Sequence, residues 1–161
     1  MSYTVDRLRL DDQLCFALYV ATNAIVRSYR PMLAEIGLTY PQYLLMLVLW
    51  QDGDRTVRQL ADRLKLSPSA VTPLVDRLEA ADLVRRRRDD NDRRVVHVEL
   101  TERGAATEHE AAAVQRRVAC NTGLDVQGLA AMRDHLHALA ERLSDTTEAE
   151  AIAGGHSTKL L

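Results

Sequence analysis

The feature that most restricts how this chain can fold is a change of hydrophobic period at Leu83. Before it, apolar residues recur at helical spacing. From "LVRRRR" to "RVVHVEL" they alternate or are β-branched, on either side of "DDND". Alternation marks a half-buried strand, and an Asp/Asn cluster between two such runs marks a reversal, so this stretch predicts a β-hairpin. Two short helices with strong start signals precede it. "TVRQLADRLKL" has Thr56 as cap with Val57, Leu60, Ala61 and Leu64 inward. "SPSAVTPLVDRLEAADL" opens with Ser67 as cap and Pro68 at the first helical position, where a missing N–H is harmless. Pro73 fits only near the N-terminal turns of that helix.

The flanks read as helices. Leu10 to Ile36 is apolar at 10, 14, 17, 18, 21, 24 and 25, with Gly37 as its stop and Pro31 expected to kink or interrupt it near the end. "TYPQYLLMLVLWQDG" restarts with Pro41 in the first turn, ends at Gly53 and is apolar enough to be buried on most sides. After the hairpin, Thr101 caps a helix to about Thr122, with Gly123 as its stop. From Asp125, the residues Leu129, Met132, Leu136, Leu139 and Leu143 form a heptad-like seam suited to another helix or another chain. The tail "IAGGHSTKLL" reads as frayed. The predicted fold class is therefore mainly α with a small β-wing. Residues 37–104 form a winged helix-turn-helix, and 1–36 with 105–161 form a helical dimerisation region, all within one compact domain.

Net charge is −2, which by itself points to no nucleic-acid partner. The average hides six arginines between Leu83 and Val98 (85–88, 93 and 94) against Asp89, Asp90 and Asp92. On the second helix of the pair, the small hydroxyls of Ser67, Ser69 and Thr72 can approach phosphates and base edges closely, with Arg77 further along. Arg93 and Arg94 at the hairpin tip suit a minor groove, and Arg86 and its neighbours at the base suit phosphates. Separately, a capped helix and a charged hairpin are ordinary solvated surface; in this order they predict a reader of double-stranded DNA. "LLMLVLW" is far too short to span a bilayer, and the N-terminus lacks an apolar signal core, which predicts a cytoplasmic chain with no membrane partner. Two cysteines without a CxxC, and five histidines paired only at 135/137, predict neither a permanent disulfide nor a metal or cofactor.

At this point the motifs carry a resemblance. "DRRVVHVELTERG" resembles the D-x-R…L-T-x-x-G wing signature of the MarR family of transcription regulators, through Asp92, Arg94, Leu100, Thr101 and Gly104. "VTPLVDRLEAADLVRR" is similar to that family's recognition helix. The resemblance implies a homodimer on a pseudo-palindromic operator, usually as a repressor, with Asp92 orienting the wing through its arginines.

Cys15, in "LDDQLCFALY", falls in the first turn of the first helix, on a face continued by Tyr19, Thr22, Val26 and Tyr29. A helix N-terminus lowers a thiol pKa, whereas Asp11 and Asp12 oppose that. All seven aromatic residues lie within residues 3–50, which predicts an apolar, phenol-lined setting for the thiol. Tyr29 lies almost on the same face but about 21 Å along the helix. It reaches a Cys15 only if two first helices pack antiparallel across a two-fold.

This segment, with "EIGLTYPQYLLMLVLW", resembles the OhrR group of organic hydroperoxide sensors within the family. That resemblance implies that Cys15 is the peroxidatic thiol, oxidised by an organic hydroperoxide. It also implies that Tyr29 and Tyr40 of the other subunit hydrogen-bond the thiolate, with Tyr19 and Phe16 close by, and that Cys120 resolves the oxidised thiol as an intersubunit disulfide. The recognition helix is closer to MarR proteins in general than to this group. Cys120 also reads as a small surface residue. Two rivals stay open: a MarR-type repressor released by a small aromatic ligand, with Cys15 as core, and a thiol peroxidase. The wing arginines, and the lack of a Thr/Arg constellation around Cys15, speak against the peroxidase. Hypochlorite is an alternative oxidant.

Overall fold

A computed structural model describes residues 8–154, with side chains described through residue 145. Tyr3 and most of the tail expected to fray lie outside the described residues. The chain divides into two compact units, Met1–Val118 and Ala119–Leu161.

In the first unit, a single 3-10 turn (Leu10–Asp12) leads through extended Gln13 into α1 (Leu14–Glu35). The helix thus starts four residues later than the apolar stripe suggests, and Cys15 is its second residue. Pro31 does not interrupt it. Position 31 is exposed, so water can reach the carbonyl that proline leaves unpaired one turn back.

α2 (Tyr40–Asp52) begins at a capping box, in which the Thr39 backbone N–H donates to Gln42 Oε1 at 2.8 Å. It ends at Gly53 with φ 75°, a left-handed position that glycine adopts without strain. As its composition requires, it is a central rod, with Tyr43, Leu45, Met46, Val48 and Leu49 all buried.

α3 (Val57–Leu64) opens on a second capping box, Thr56 with Gln59, and turns at left-handed Lys65 into α4 (Pro68–Ala80). Ser67 caps α4 by accepting from the Ala70 backbone N–H at 3.3 Å. Leu60, Val71, Val75 and Leu78 seal this pair onto α2 and are fully buried.

The predicted hairpin is β2 (Val84–Arg88) against β3 (Val96–Leu100), antiparallel, with Arg86 opposite Val98. A third strand, β1 (Arg55–Thr56), pairs with the far edge of β3. The sequence reading has no third strand, because two residues are too few to show a period.

α5 (Glu102–Asn121) starts at a junction that explains the "LTERG" motif. Thr101 Oγ1 donates to the Asp82 carbonyl at 2.7 Å and accepts from the Gly104 N–H at 3.0 Å, so one hydroxyl ties the wing root to the new helix. Gly104 lies against Leu83, where a Cβ would stand 1.9 Å from the Leu83 carbonyl oxygen.

The second unit holds the end of α5, a turn at Gly123 (φ 71°) and α6 (Val126–Gly154). Asp125 begins α6, its Oδ1 accepting from the Gly128 N–H at 2.7 Å. Met132 and Leu136 of the heptad-like seam are exposed. Among the described residues, no single helix is long and apolar enough to cross a membrane.

Gly104→Ala must force Leu83 and α5 apart. The variant is expected to lose about 1–3 kcal/mol, the usual range for overpacking, read as a lower urea midpoint.

Candidate nucleic-acid interface and thiol site

α4 turns Val71, Val75 and Leu78 inward and leaves Ser69, Thr72, Asp76 and Arg77 exposed. The hydroxyls are already oriented: Ser67 Oγ bonds Ser69 Oγ at 2.9 Å, and Thr72 Oγ1 donates to the Pro68 carbonyl at 2.9 Å. Having given its proton to the helix, Thr72 faces outward as an acceptor. Arg77 makes no ion pair among the described residues.

The arginine-rich wing is more neutral than its sequence suggests. Glu99, only 8% exposed, accepts from Arg85 Nε at 2.5 Å and from Arg87 Nε at 2.9 Å. Arg86, expected among the phosphate contacts, turns back onto α4. Its guanidinium bonds Glu79 and, at 2.5 Å, Asp76 Oδ1, and its backbone N–H donates to Glu79 Oε1 at 3.0 Å. Arg86 therefore braces the wing against the recognition helix rather than presenting charge outward. Arg94 folds onto Asp92, whose Oδ1 accepts from both its backbone N–H (3.0 Å) and its Nε (3.2 Å). Arg88 and Arg93 are exposed and make no ion pair among the described residues.

The tip is held from within. Asp89 Oδ1 accepts from the N–H groups of Asn91 (2.8 Å) and Asp92 (3.0 Å), and Asp89 Oδ2 meets His97 Nε2 at 3.2 Å. Each carboxylate is correspondingly acidic. Arg87 and Arg85 hold Glu99 below its usual range, the N–H groups of Asp92 and Asn91 do so for Asp89, and Arg94 does so for Asp92. Sequence reading missed Glu79, Asp89 and Glu99. The hairpin register was the available signal for Glu99, because it sets Arg85 directly opposite.

The thiol residues are dispersed within one chain. Cys15 is exposed near the N-terminal end of α1, beside exposed Tyr19 and half-buried Phe16. Tyr29 lies two-thirds of the way along the same helix, clustered with Tyr40 (ring centroids 5.3 Å) and Tyr43 (5.4 Å). Among the described residues, the unbroken helix keeps Cys15 apart from Tyr29 and the tyrosines clustered with it. Burial pushes the Tyr29 and Tyr40 phenols up, so both stay protonated and able to donate at neutral pH. Tyr43, which the sequence reading did not place in the site, packs its ring against Tyr29 and is raised further, again mainly by burial. Cys120 is exposed near the end of α5, one turn beyond exposed Arg116 and Arg117. Among the described residues, no His/Cys/Asp/Glu group is arranged to hold a metal ion.

Two expectations follow for the wing. Arg93→Ala should lower the salt slope of DNA binding by about one phosphate's worth, whereas Arg86→Ala should leave that slope unchanged and lower the urea midpoint. Because folding depresses the pKa of Glu99, Asp89 and Asp92, the stability they lend is full above about pH 5 and is lost as pH falls through the depressed folded values. Glu99→Gln should narrow the difference in urea midpoint between about pH 6 and about pH 3.

Comparison with known proteins agrees with this geometry. The MarR family model matches residues 38–96, from two residues before α2 to the first residue of β3. The chain is 43% identical to the HTH-type transcriptional regulator TtmR of Methylorubrum extorquens, over 84% of this chain and 73% of that protein. It is 32% identical to the organic hydroperoxide resistance transcriptional regulator of Bacillus subtilis, over 89% of this chain and 97% of that protein. Among solved structures, reduced AbfR bound to DNA superimposes with a TM-score of 0.68 at 30% identity, covering 84% of this chain and 94% of that one. AbfR, from Staphylococcus epidermidis, has also been solved in a disulfide-formed state. With a winged helix-turn-helix and relatives matched along most of their length, this chain belongs to the MarR family of DNA-binding transcriptional regulators.

Proposed function

We propose that the chain is a redox-responsive repressor, a homodimer on a pseudo-palindromic operator that it releases when Cys15 is oxidised by an organic hydroperoxide. The observation that carries this reading is the layout of α1. An unbroken helix bears an exposed thiol near one end and, two-thirds of the way along, Tyr29 packed into a cluster of neutral phenols, with exposed apolar residues, Val20 and Ile25, between them. Antiparallel pairing of two such helices places each Tyr29–Tyr40 pair by the partner's Cys15, where two O–H donors favour the thiolate. The uncovered Met132 and Leu136 on α6 suit the same kind of self-association. Residues 37–104 then read DNA, and the helices of 1–36 and 105–161 pair the subunits.

The cycle balances as two thiols and one hydroperoxide giving one disulfide, one alcohol and one water. Cys15 thiolate attacks the terminal peroxide oxygen, the O–O bond breaks and the alcohol leaves, giving a sulfenic acid. Cys120 of the partner attacks that sulfur, an S–S bond forms and water departs. The strain moves the recognition helices off the spacing of about 34 Å that successive major grooves require. A hydroperoxide-resistance regulator among the relatives, and AbfR solved both reduced on DNA and with a disulfide formed, support this reading.

A second reading has its own observation. A cleft of about 320 Å³ opens between α2 and α5, lined by Tyr43, Leu47, Trp50, Glu108 and Ala111. Its aromatic wall suits a small aromatic ligand that would release DNA without thiol chemistry.

A non-reducing gel after one equivalent of cumene hydroperoxide separates the two. A covalent dimer in the wild type, absent in Cys15→Ser and Cys120→Ser, with operator binding lost and then restored by dithiothreitol, is the expected result. No crosslink, with Cys15 still titrating as a thiol, overturns the redox cycle and leaves the ligand reading.

A further inference from the structure

Trp50 is the only tryptophan of the chain, and the readings above use it at most as part of a cleft wall, with no role for its indole N–H. It stands half-buried in the last turn of α2. Its indole Nε1 donates to the Gly104 carbonyl at 2.9 Å, a bond across 54 residues of sequence. Gly104 is the residue pressed onto Leu83, and Leu83 joins the end of α4 to the start of β2. The Leu83 carbonyl also accepts from the Thr101 N–H at 3.1 Å. One indole N–H thus holds the turn of α5 on which both the recognition helix and the wing are seated. On its other side, the indole meets Tyr43 with ring centroids 6.5 Å apart, and Tyr43 meets Tyr29 at 5.4 Å and Tyr40 at 6.2 Å. Four rings therefore run without a gap from α1 to the first turn of α5. The cleft between α2 and α5 opens on the last two of them.

We propose that Trp50 is a positioning residue for DNA binding. Its N–H sets where the α4–β2 junction sits, and its ring couples the tyrosine cluster and the cleft to the DNA-reading face. Packed interiors shift between discrete arrangements rather than compressing, so a displaced Tyr29 or an occupied cleft moves the indole, and the indole carries Gly104 with it. The inference rests on the DNA-binding role that family membership establishes. It does not depend on the choice between thiol oxidation and ligand binding, since both act on the same ring.

Trp50→Phe keeps an aromatic ring and removes the donor. Binding of full-length protein is measured on a duplex selected by the wild type from a random pool and on a random duplex, over one shared series of salt concentrations and well below the melting point of each variant. Affinity for the selected duplex should fall about tenfold, the factor one lost hydrogen bond can command, with random-duplex affinity and salt slope unchanged. Val48→Ala, a truncation in the same helix, should lose stability and keep the wild-type ratio of the two affinities. Equal loss on both duplexes, an unchanged ratio in Trp50→Phe, or a fallen ratio in Val48→Ala overturns the positioning role. In the unmodified protein, saturation with the selected duplex should shift the emission and acrylamide quenching of Trp50. No change in either overturns the coupling even if Trp50→Phe fails to fold.

Discussion

The wing and the recognition helix share one foundation, the contact between Gly104 and the Leu83 carbonyl. Backbone meets backbone there, so the junction has no side chain that can repack to absorb a change. Three hydrogen bonds converge on this point: Thr101 Oγ1 to Asp82, the Thr101 N–H to Leu83, and Trp50 Nε1 to Gly104. The end of α4, the start of β2 and the first turn of α5 are thereby fixed to one another within a few residues. Position 104 is a space requirement, not a flexible hinge.

Charge in the wing follows a different logic from its composition. Of the six arginines between Leu83 and Val98, four have carboxylate partners: Arg85 and Arg87 share Glu99, Arg86 is divided between Asp76 and Glu79, and Arg94 takes Asp92. Most of these pairs are partly solvated, and each alone contributes little to stability. Their effect is geometric. They fix the orientation of the hairpin against α4, and they leave Arg77, Arg88 and Arg93 exposed without an ion pair among the described residues.

Most of the fold is legible in the sequence, because its signals are local. Thr56, Ser67 and Thr101 announce their helices through hydrogen bonds spanning three residues, and Gly53 and Gly123 end theirs through left-handed backbone. What the sequence did not show depends on pairing at a distance. β1 exists only because β3 offers it an edge. Arg86 reads as a phosphate ligand until α4 is seen to place Asp76 and Glu79 beside it. For the thiol, the spacing along α1 was readable, and it already separates Cys15 from Tyr29 within one subunit. The prominence of Tyr43 and Trp50 was not readable, since it comes from the packing of α1 and α5 on α2.

The hydrogen bonding of the wing tip also bears on the role in DNA reading proposed for residues 37–104. Asp89 gathers the N–H groups of Asn91 and Asp92, and Val95 closes the loop with Asp89 and Asp92 at 2.9 and 2.8 Å, all within seven residues. On that proposal, a tip ordered by its own backbone meets a groove already shaped. Association then carries little of the entropic penalty that accompanies segments that fold as they bind. The tip should accordingly add no coupled-folding excess to the heat-capacity change of complex formation.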